Sequence, residues 1–392
     1  MKVFRIAILI VLFLLGAACL VWYFRTGDTD NTEKREASGL LLTDTSPLGE
    51  LSVLSDGKTL AAGNARGEVK FFRPGEPVRT VSVSDISISA PVAEFDGVCY
   101  VGDESGTFAA FTPDKGVLWT FRAGNQITGG AVRDSDGLVW FGSHDHSLYA
   151  LDTSDQIADD DFLREAVLEE TERYNAALPN FPGKLVHEVE CNGQINGSPV
   201  FDGAYLYLGS CDGKLRKIDI HTGEVVKALD FESYIPETPV LSDGVLYILT
   251  HGGELAAVDA DSFEVLYRVK TENTFFTSPF VTESDIFLTD SNGNIHVHKR
   301  ADGSFIADLP SDEPLNPICA GSDLGVYTIS RRGVLSLFAV PSRLREGWSW
   351  KQYVIAKFPS DFKSGVIEAV GILAVPDEYG NVFYAEKKEL EK

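Results

Sequence analysis

A spacing near 40 residues between short glycine-centred turns constrains this chain more than any other feature of its sequence. Residues 198–219, SPVFDGAYLYLGSCDGKLRKID, show the unit. A short strand at 199–201 runs through Asp202-Gly203 into an alternating strand at 205–209, and Asp212-Gly213 turns that strand into a third at 214–218. Asp-Gly favours the positive-φ turns that close hairpins. A second kind of turn, His221-Thr222-Gly223-Glu224, leads into a fourth strand at 225–229, and the cycle restarts at Glu237-Thr238-Pro239-Val240. Four antiparallel strands in about 40 residues make one blade of a β-propeller.

Taking the glycine of the Asp212-Gly213 type of turn as a register mark places it at Gly67, Gly106, Gly213, Gly253, Gly293, Gly333 and Gly380, with Ser147 in its place once. The steps are 39, 41, 66, 40, 40, 40 and 47 residues. Eight marks predict eight blades, and the two long steps read as loop insertions of roughly 26 and 7 residues. Asp56-Gly57, Asp96-Gly97, Asp136-Gly137, Asp202-Gly203 and Asp243-Gly244 keep the same phase at the first turn. The expected fold is therefore all-β, an eight-bladed propeller over residues 39–392. The length, 392 residues, would otherwise suggest two or three domains. The last unit shows only three strands, at 366–370, 372–375 and 381–386, and a spare apolar stretch at 39–43 precedes blade one. The sequence predicts that this stretch fills the missing outer position and leaves no open edge.

Strand alternation sorts the loops onto two faces. The Asp-Gly first turns and the Thr-Gly type of turn share one, the turn face. The second turns and the blade-to-blade connections share the other, the connection face. The longer insertion leaves the repeat after Asp152 and rejoins it near Lys184, so it emerges on the turn face. Asp159-Asp160-Asp161 favour the start of a helix that Pro179 and Pro182-Gly183 end, a helical insertion over about 157–182. Leu163, Val167, Tyr174 and Leu178 fall on one side of it. That side is expected to pack on the chain's own blades or to dock a partner. The smaller insertion, PSRLREGWSW at 341–350, joins two Trp with two Arg, a composition enriched in interface hot spots, and a Trp covering a blade edge is the equal alternative. Leu163, Val167, Tyr174, Trp348 and Trp350 are the candidate partner contacts.

Residues 1–25 carry Lys2 and Arg5 and then an uninterrupted apolar run at 6–24. Nineteen residues at helical rise can cross a bilayer core, and positive charge before the run favours a cytoplasmic N-terminus with everything after it outside. A lipoprotein cleaved before Cys19 and a conventional cleaved signal are the alternatives, but for the former Gly16 stands where its signal wants an aliphatic residue and residues 20–24 stay apolar. An uncleaved transmembrane signal-anchor is expected, followed by a flexible tether at 26–38. The propeller is then membrane-anchored and faces the periplasm or cell exterior. Of 34 basic residues Lys2, Arg5 and Arg25 precede the tether, leaving 31 against 58 acidic ones, a net charge near −27. Such a body is repelled by nucleic-acid phosphates and anionic head groups, so membrane contact is expected only through the N-terminal helix.

Reactive chemistry is sparse. Cys99 sits in a strand where a buried thiol is the default. Cys191 and Cys211 fall on the same face and could form a disulfide whose closed loop is worth roughly 3 kcal/mol. His144 with His146 and His296 with His298 look like ligand pairs, without an evident third ligand. Asn196-Gly197-Ser198 matches a glycosylation sequon that Pro199 weakens. No G-x-S-x-G, Walker loop or H-E-x-x-H occurs. No catalytic residue, cofactor or metal is assigned.

Residues 198–226, 89–119 and 140–152 resemble PQQ-type propeller repeats, of the form SPV…DG…YVGS.DGKLYALD…TG. Two families share that unit. Quinoprotein dehydrogenases bind pyrroloquinoline quinone and calcium on the ring axis, but they are longer and many carry a vicinal cysteine pair, which this chain lacks. The BamB family, eight-bladed periplasmic scaffolds of outer-membrane β-barrel assembly, is similar in size, blade count and tethering. The weak lipoprotein signal, the helical insertion and a single strand-end Trp119 depart from it. The resemblance implies a non-enzymatic protein–protein interaction scaffold with partners in the cell envelope. The alternative is a quinone- or small-ligand-binding quinoprotein-like enzyme.

Overall fold

A computed structural model describes residues 38–44, 46–153, 183–322, 325–339, 350–369 and 371–387. They form eight four-stranded sheets, seven of them built from strands consecutive in sequence. Blades one to seven span 52–82, 93–122, 132–190, 200–230, 240–270, 280–308 and 320–357. Blade eight pairs Ile367–Ala369, Ile372–Pro376 and Asn381–Glu386, and its outer strand is Ser38–Thr43. The closure expected from the three-stranded last unit is thus the one observed.

First strands are two or three residues long because wedge-shaped blades narrow towards the axis, where first strands of neighbouring blades touch. Fourth strands are outermost, and Val225–Asp230 is mostly exposed. The two middle strands carry the core, and each apolar cluster bridges two blades. Between blades two and three, Phe108 stacks on Phe141 with ring centroids 3.8 Å apart, in a cluster with Tyr100, Trp119 and Tyr149.

The YVG-type strand ends have a packing cause. A Cβ on Gly102 would lie 2.2 Å from the side chain of Ile127, which belongs to the connection leaving the same blade. Gly63 with Ile88, Gly142 with Ile195 and Gly209 with Ile235 repeat the arrangement, and all four isoleucines are buried. The backbone fixes each connection from both sides. Ile127 N–H donates to Asp103 of the blade it leaves at 3.0 Å, and Gln126 C=O accepts from His144 N–H of the blade it enters at 2.9 Å. In blades five to seven the strand-end glycine gives way to Leu249, Thr289 and Ile329, and the anchors become Phe275, Leu315 and Phe362.

Blade three departs from the register predicted for it. The residue in the left-handed turn position is His146, φ 80°, not Ser147. An L side chain in this region costs about 1–2 kcal/mol, against the greater unfolded-state entropy of glycine. His146→Gly is accordingly expected to stabilise the fold by about 1 kcal/mol, read as a higher urea midpoint at unchanged slope. An unchanged or lower midpoint would show that the imidazole compensates the strain.

No helix occurs among the described residues, and none there is long and apolar enough to cross a membrane. The expected transmembrane helix at 1–25, most of the tether and the helical insertion lie outside the described residues.

Candidate functional site

The blade connectivity gives the two faces expected from the turns. At the axis, side chains at matching positions of neighbouring repeats tie blade to blade. Ser198 Oγ accepts from Gly130 N–H at 2.7 Å, Thr238 Oγ1 from Ser198 N–H at 2.8 Å, and Ser278 Oγ donates to Thr238 C=O at 2.9 Å. The Ser-Pro-Val of the repeat is thus an inter-blade clasp. Beside it Glu50 of the connection into blade one and Glu237 of the connection into blade five hold the same place, on opposite sides of an eight-bladed ring. Burial, and then the charge of Glu50, pushes the Glu237 carboxyl up to about 7. Desolvation at the axis raises Glu50 as well, although that residue is solvent-exposed.

On the connection face, the residue before the buried anchor is polar in several repeats: Ser87, Gln126, Gln194 and Thr274. In the connection into blade five it is Tyr234, 39% exposed. The residue after the anchor is Ser89, Thr128 or Asn196 in other repeats but Phe276, 54% exposed, in the connection into blade six. His251, at the tip of blade five's second turn, lies between them. Its ring stacks on Tyr234 at 4.3 Å and meets Phe276 edge-on at 4.7 Å. Its backbone N–H donates to Tyr234 C=O at 3.0 Å, the same tie that holds every other connection, so the backbone is that of an ordinary repeat. Only the side chains differ. The buried anchor satisfies the fold, and the aromatics lie exposed beside it.

The turn face carries a cleft of about 790 Å³ between blades five and six, lined by Tyr247, Leu266, Tyr267, Lys299, Arg300 and Ile306. One blade earlier the matching cleft is filled by Phe263, which is buried and stacks on Tyr207. In blade six that position is Gly303, where a Cβ would lie 2.6 Å from the Tyr267 ring. Arg300 closes the floor instead. It donates to Tyr247 Oη at 2.8 Å, to Thr282 C=O at 3.2 Å, and to Ser242 C=O and Asp243 Oδ2 at 3.1 and 2.7 Å. With its donors spent on the scaffold, Arg300 reads as structural.

Of the residues singled out from sequence, Leu163, Val167, Tyr174 and Trp348 lie outside the described residues. Trp350 is described, and of its two expected roles, partner contact or packing on a blade, it takes the packed one. Only 6% exposed, it packs edge-on against Phe287 with centroids 5.6 Å apart, in the core shared by blades six and seven. An indole this large at the start of a fourth strand fills the wedge between blades. Cys191 and Cys211 are free thiols, so the bridge drawn from their spacing is not made. Cys191 points inward, where its sulfur meets the Ser210 hydroxyl beside the buried Arg216–Asp212 pair, and burial pushes its thiol up to about 11. Cys211 stands half-exposed in the turn. The histidine pairs do not converge on a common centre. His296 is bound by Asp308 at 2.7 Å and Asn273 at 3.0 Å, while His298 is buried on Gly303 C=O at 2.8 Å. Among the described residues no three His, Cys, Asp or Glu side chains are placed to hold a metal. Tyr234, His251 and Phe276 were missed. Their signal is visible only when the connections are stacked in register and the one column that breaks with the others is sought.

The molecule is an eight-bladed β-propeller of PQQ-like repeats. It resembles the outer-membrane assembly factor BamB: a family model described as outer membrane protein assembly factor BamB matches residues 230–306, which include Tyr234, His251 and Phe276. The crystal structure of BamB from Moraxella catarrhalis superposes with a TM-score of 0.68 at 15% identity, over 91% of this chain and 98% of that one. The computationally designed Ika8 protein superposes with a TM-score of 0.67 at 14% identity, over 88% of this chain and 98% of its own. That a designed protein fits as well as a natural one marks both likenesses as likenesses of fold. A search of curated protein sequences finds no match.

Proposed function

We propose that this chain is a non-enzymatic interaction scaffold, tethered to a membrane by its N-terminal apolar run with the propeller outside the cytoplasm, and that it holds a protein partner on the connection face. The exposed Tyr234–His251–Phe276 stack carries this reading, because it places large aromatic surface in solvent at positions that are small or polar in most sister repeats. A stable interface needs roughly 800 Å² from each partner, so neighbouring second turns would complete it. The likeness to BamB supports a place in envelope protein assembly, and the apolar run at 6–24 supports the tether.

Joint replacement of Tyr234 and Phe276 by Ser tests the site. The expected result is an unchanged melting temperature and loss of the partner captured by crosslinking in intact membranes. Retention of the crosslink, with its loss when residues 157–181 are replaced by a short Gly-Ser loop, would move the partner to the turn face.

A further inference from the structure

The tip of blade seven's second turn is Arg331-Arg332, where other blades carry Glu104-Ser105, Cys211-Asp212 or Glu378-Tyr379. Both arginines are exposed, and neither meets a carboxylate among the described residues. Arg331 donates its side chain only to Ser291 C=O, at 3.4 Å. Blade one shows the contrast, since Arg66 at the matching tip is bound by Asp44 at 2.7 Å and Glu68 at 2.9 Å. Next to the arginine pair a cleft of about 710 Å³ opens on the connection face across blades six to eight. Phe276 of the aromatic stack forms part of its wall, and Asn316 lines it. Asn316 is 3% exposed, and its side-chain Nδ2 has no acceptor. A buried donor left unmatched is costly, and a ligand oxygen would recover that cost.

The acidic groups around the cleft are largely committed. Asp290 accepts from Asn294 at 2.9 Å and meets His296 at 3.3 Å, and Glu378 is paired with Lys363 at 2.8 Å. Asp361 alone stands against two arginines. Charge elsewhere on this acidic molecule is screened beyond about 8–10 Å at physiological ionic strength, so the local pair decides what binds.

We propose that this cleft takes an acidic segment of a protein partner. Its carboxylates pair with Arg331 and Arg332, a carbonyl or carboxylate oxygen accepts from Asn316 Nδ2, and an apolar residue packs on Phe276. The assignment rests on the scaffold reading and narrows the partner's chemistry.

Fluorescence anisotropy with the detergent-solubilised full chain tests it, using a labelled twelve-residue Asp/Glu peptide carrying one Phe, and its Asn/Gln counterpart. The acidic peptide is expected to bind at 50 mM salt and to weaken towards 300 mM. Joint Arg331→Gln and Arg332→Gln substitution should weaken it about tenfold or more at unchanged melting temperature, and Arg332→Gln alone by a smaller factor. Tyr234→Ser should leave it unchanged. Equal binding of the neutral peptide, undiminished binding by the doubly substituted chain, or no binding at 50 mM salt would overturn the assignment. The membrane crosslink separates the two readings. A partner captured by a chain that ignores the acidic peptide overturns this assignment alone, whereas no captured partner at all overturns the scaffold.

Discussion

A chain beginning at Ser46 is expected to unfold several kcal/mol more easily than one beginning at Ser38, and to associate. The reason is that Ser38–Thr43 latches two blades at once. As a strand it completes blade eight beside Asn381–Glu386. Its Leu42 is buried among Leu51, Leu60 and Phe72 of blade one and Ala374 and Val382 of blade eight. Asp44, just beyond it, donates its N–H to Gly380 C=O at 2.9 Å and accepts from Arg66 at 2.7 Å and Asn64 at 3.1 Å. Burial of one leucine is worth about 2–5 kcal/mol, and each ladder hydrogen bond about 1 kcal/mol. The exposed edge of Asn381–Glu386 would then recruit other chains. Urea midpoints and sedimentation velocity read both effects, and Leu42→Ala should reproduce about 3 kcal/mol of the loss without exposing the edge. Equal midpoints for the two chains would mean that the ring does not depend on this latch.

The second large effect is a pH dependence seated on the axis. With its pKa pushed up to about 7, chiefly by burial and then by Glu50, the Glu237 carboxyl holds its proton more tightly folded than unfolded, where a glutamate titrates near 4.3. Its protonated form is therefore the stabilising one. The contribution of this group is greatest below about pH 4, declines as pH rises from there to about 7, and levels off above, a loss of about 3–4 kcal/mol from Glu237 alone. Glu237→Gln cannot charge, so it should exceed the parent by about that amount at pH 8 and match it near pH 4.5. Glu50→Gln should recover part of the gain by removing the facing charge. Parallel urea curves at the two pH values measure this, and an equal difference between parent and variant at both would show that Glu237 does not titrate across this range.

Much of the ring could be read from the chain alone because its determinants are local and repeated. Asp-Gly and Thr-Gly turns, alternating strands and a 40-residue period are written within single blades, so blade number, loop faces and the closing role of residues 39–43 follow from counting. One register mark slipped by a residue because His146 takes a left-handed position usually reserved for glycine. What tertiary structure decided is where side chains of like sequence character end up. Trp350 went into the core between blades six and seven, Cys191 turned inward away from a bridge, and Tyr234 and Phe276 came to lie on either side of His251. Glu50 and Glu237 act on one another only because eight wedges close on a common axis. Turn chemistry depends on neighbours in sequence and is legible there. Exposure, burial and charge coupling depend on neighbours across blades, which exist only once the ring has closed.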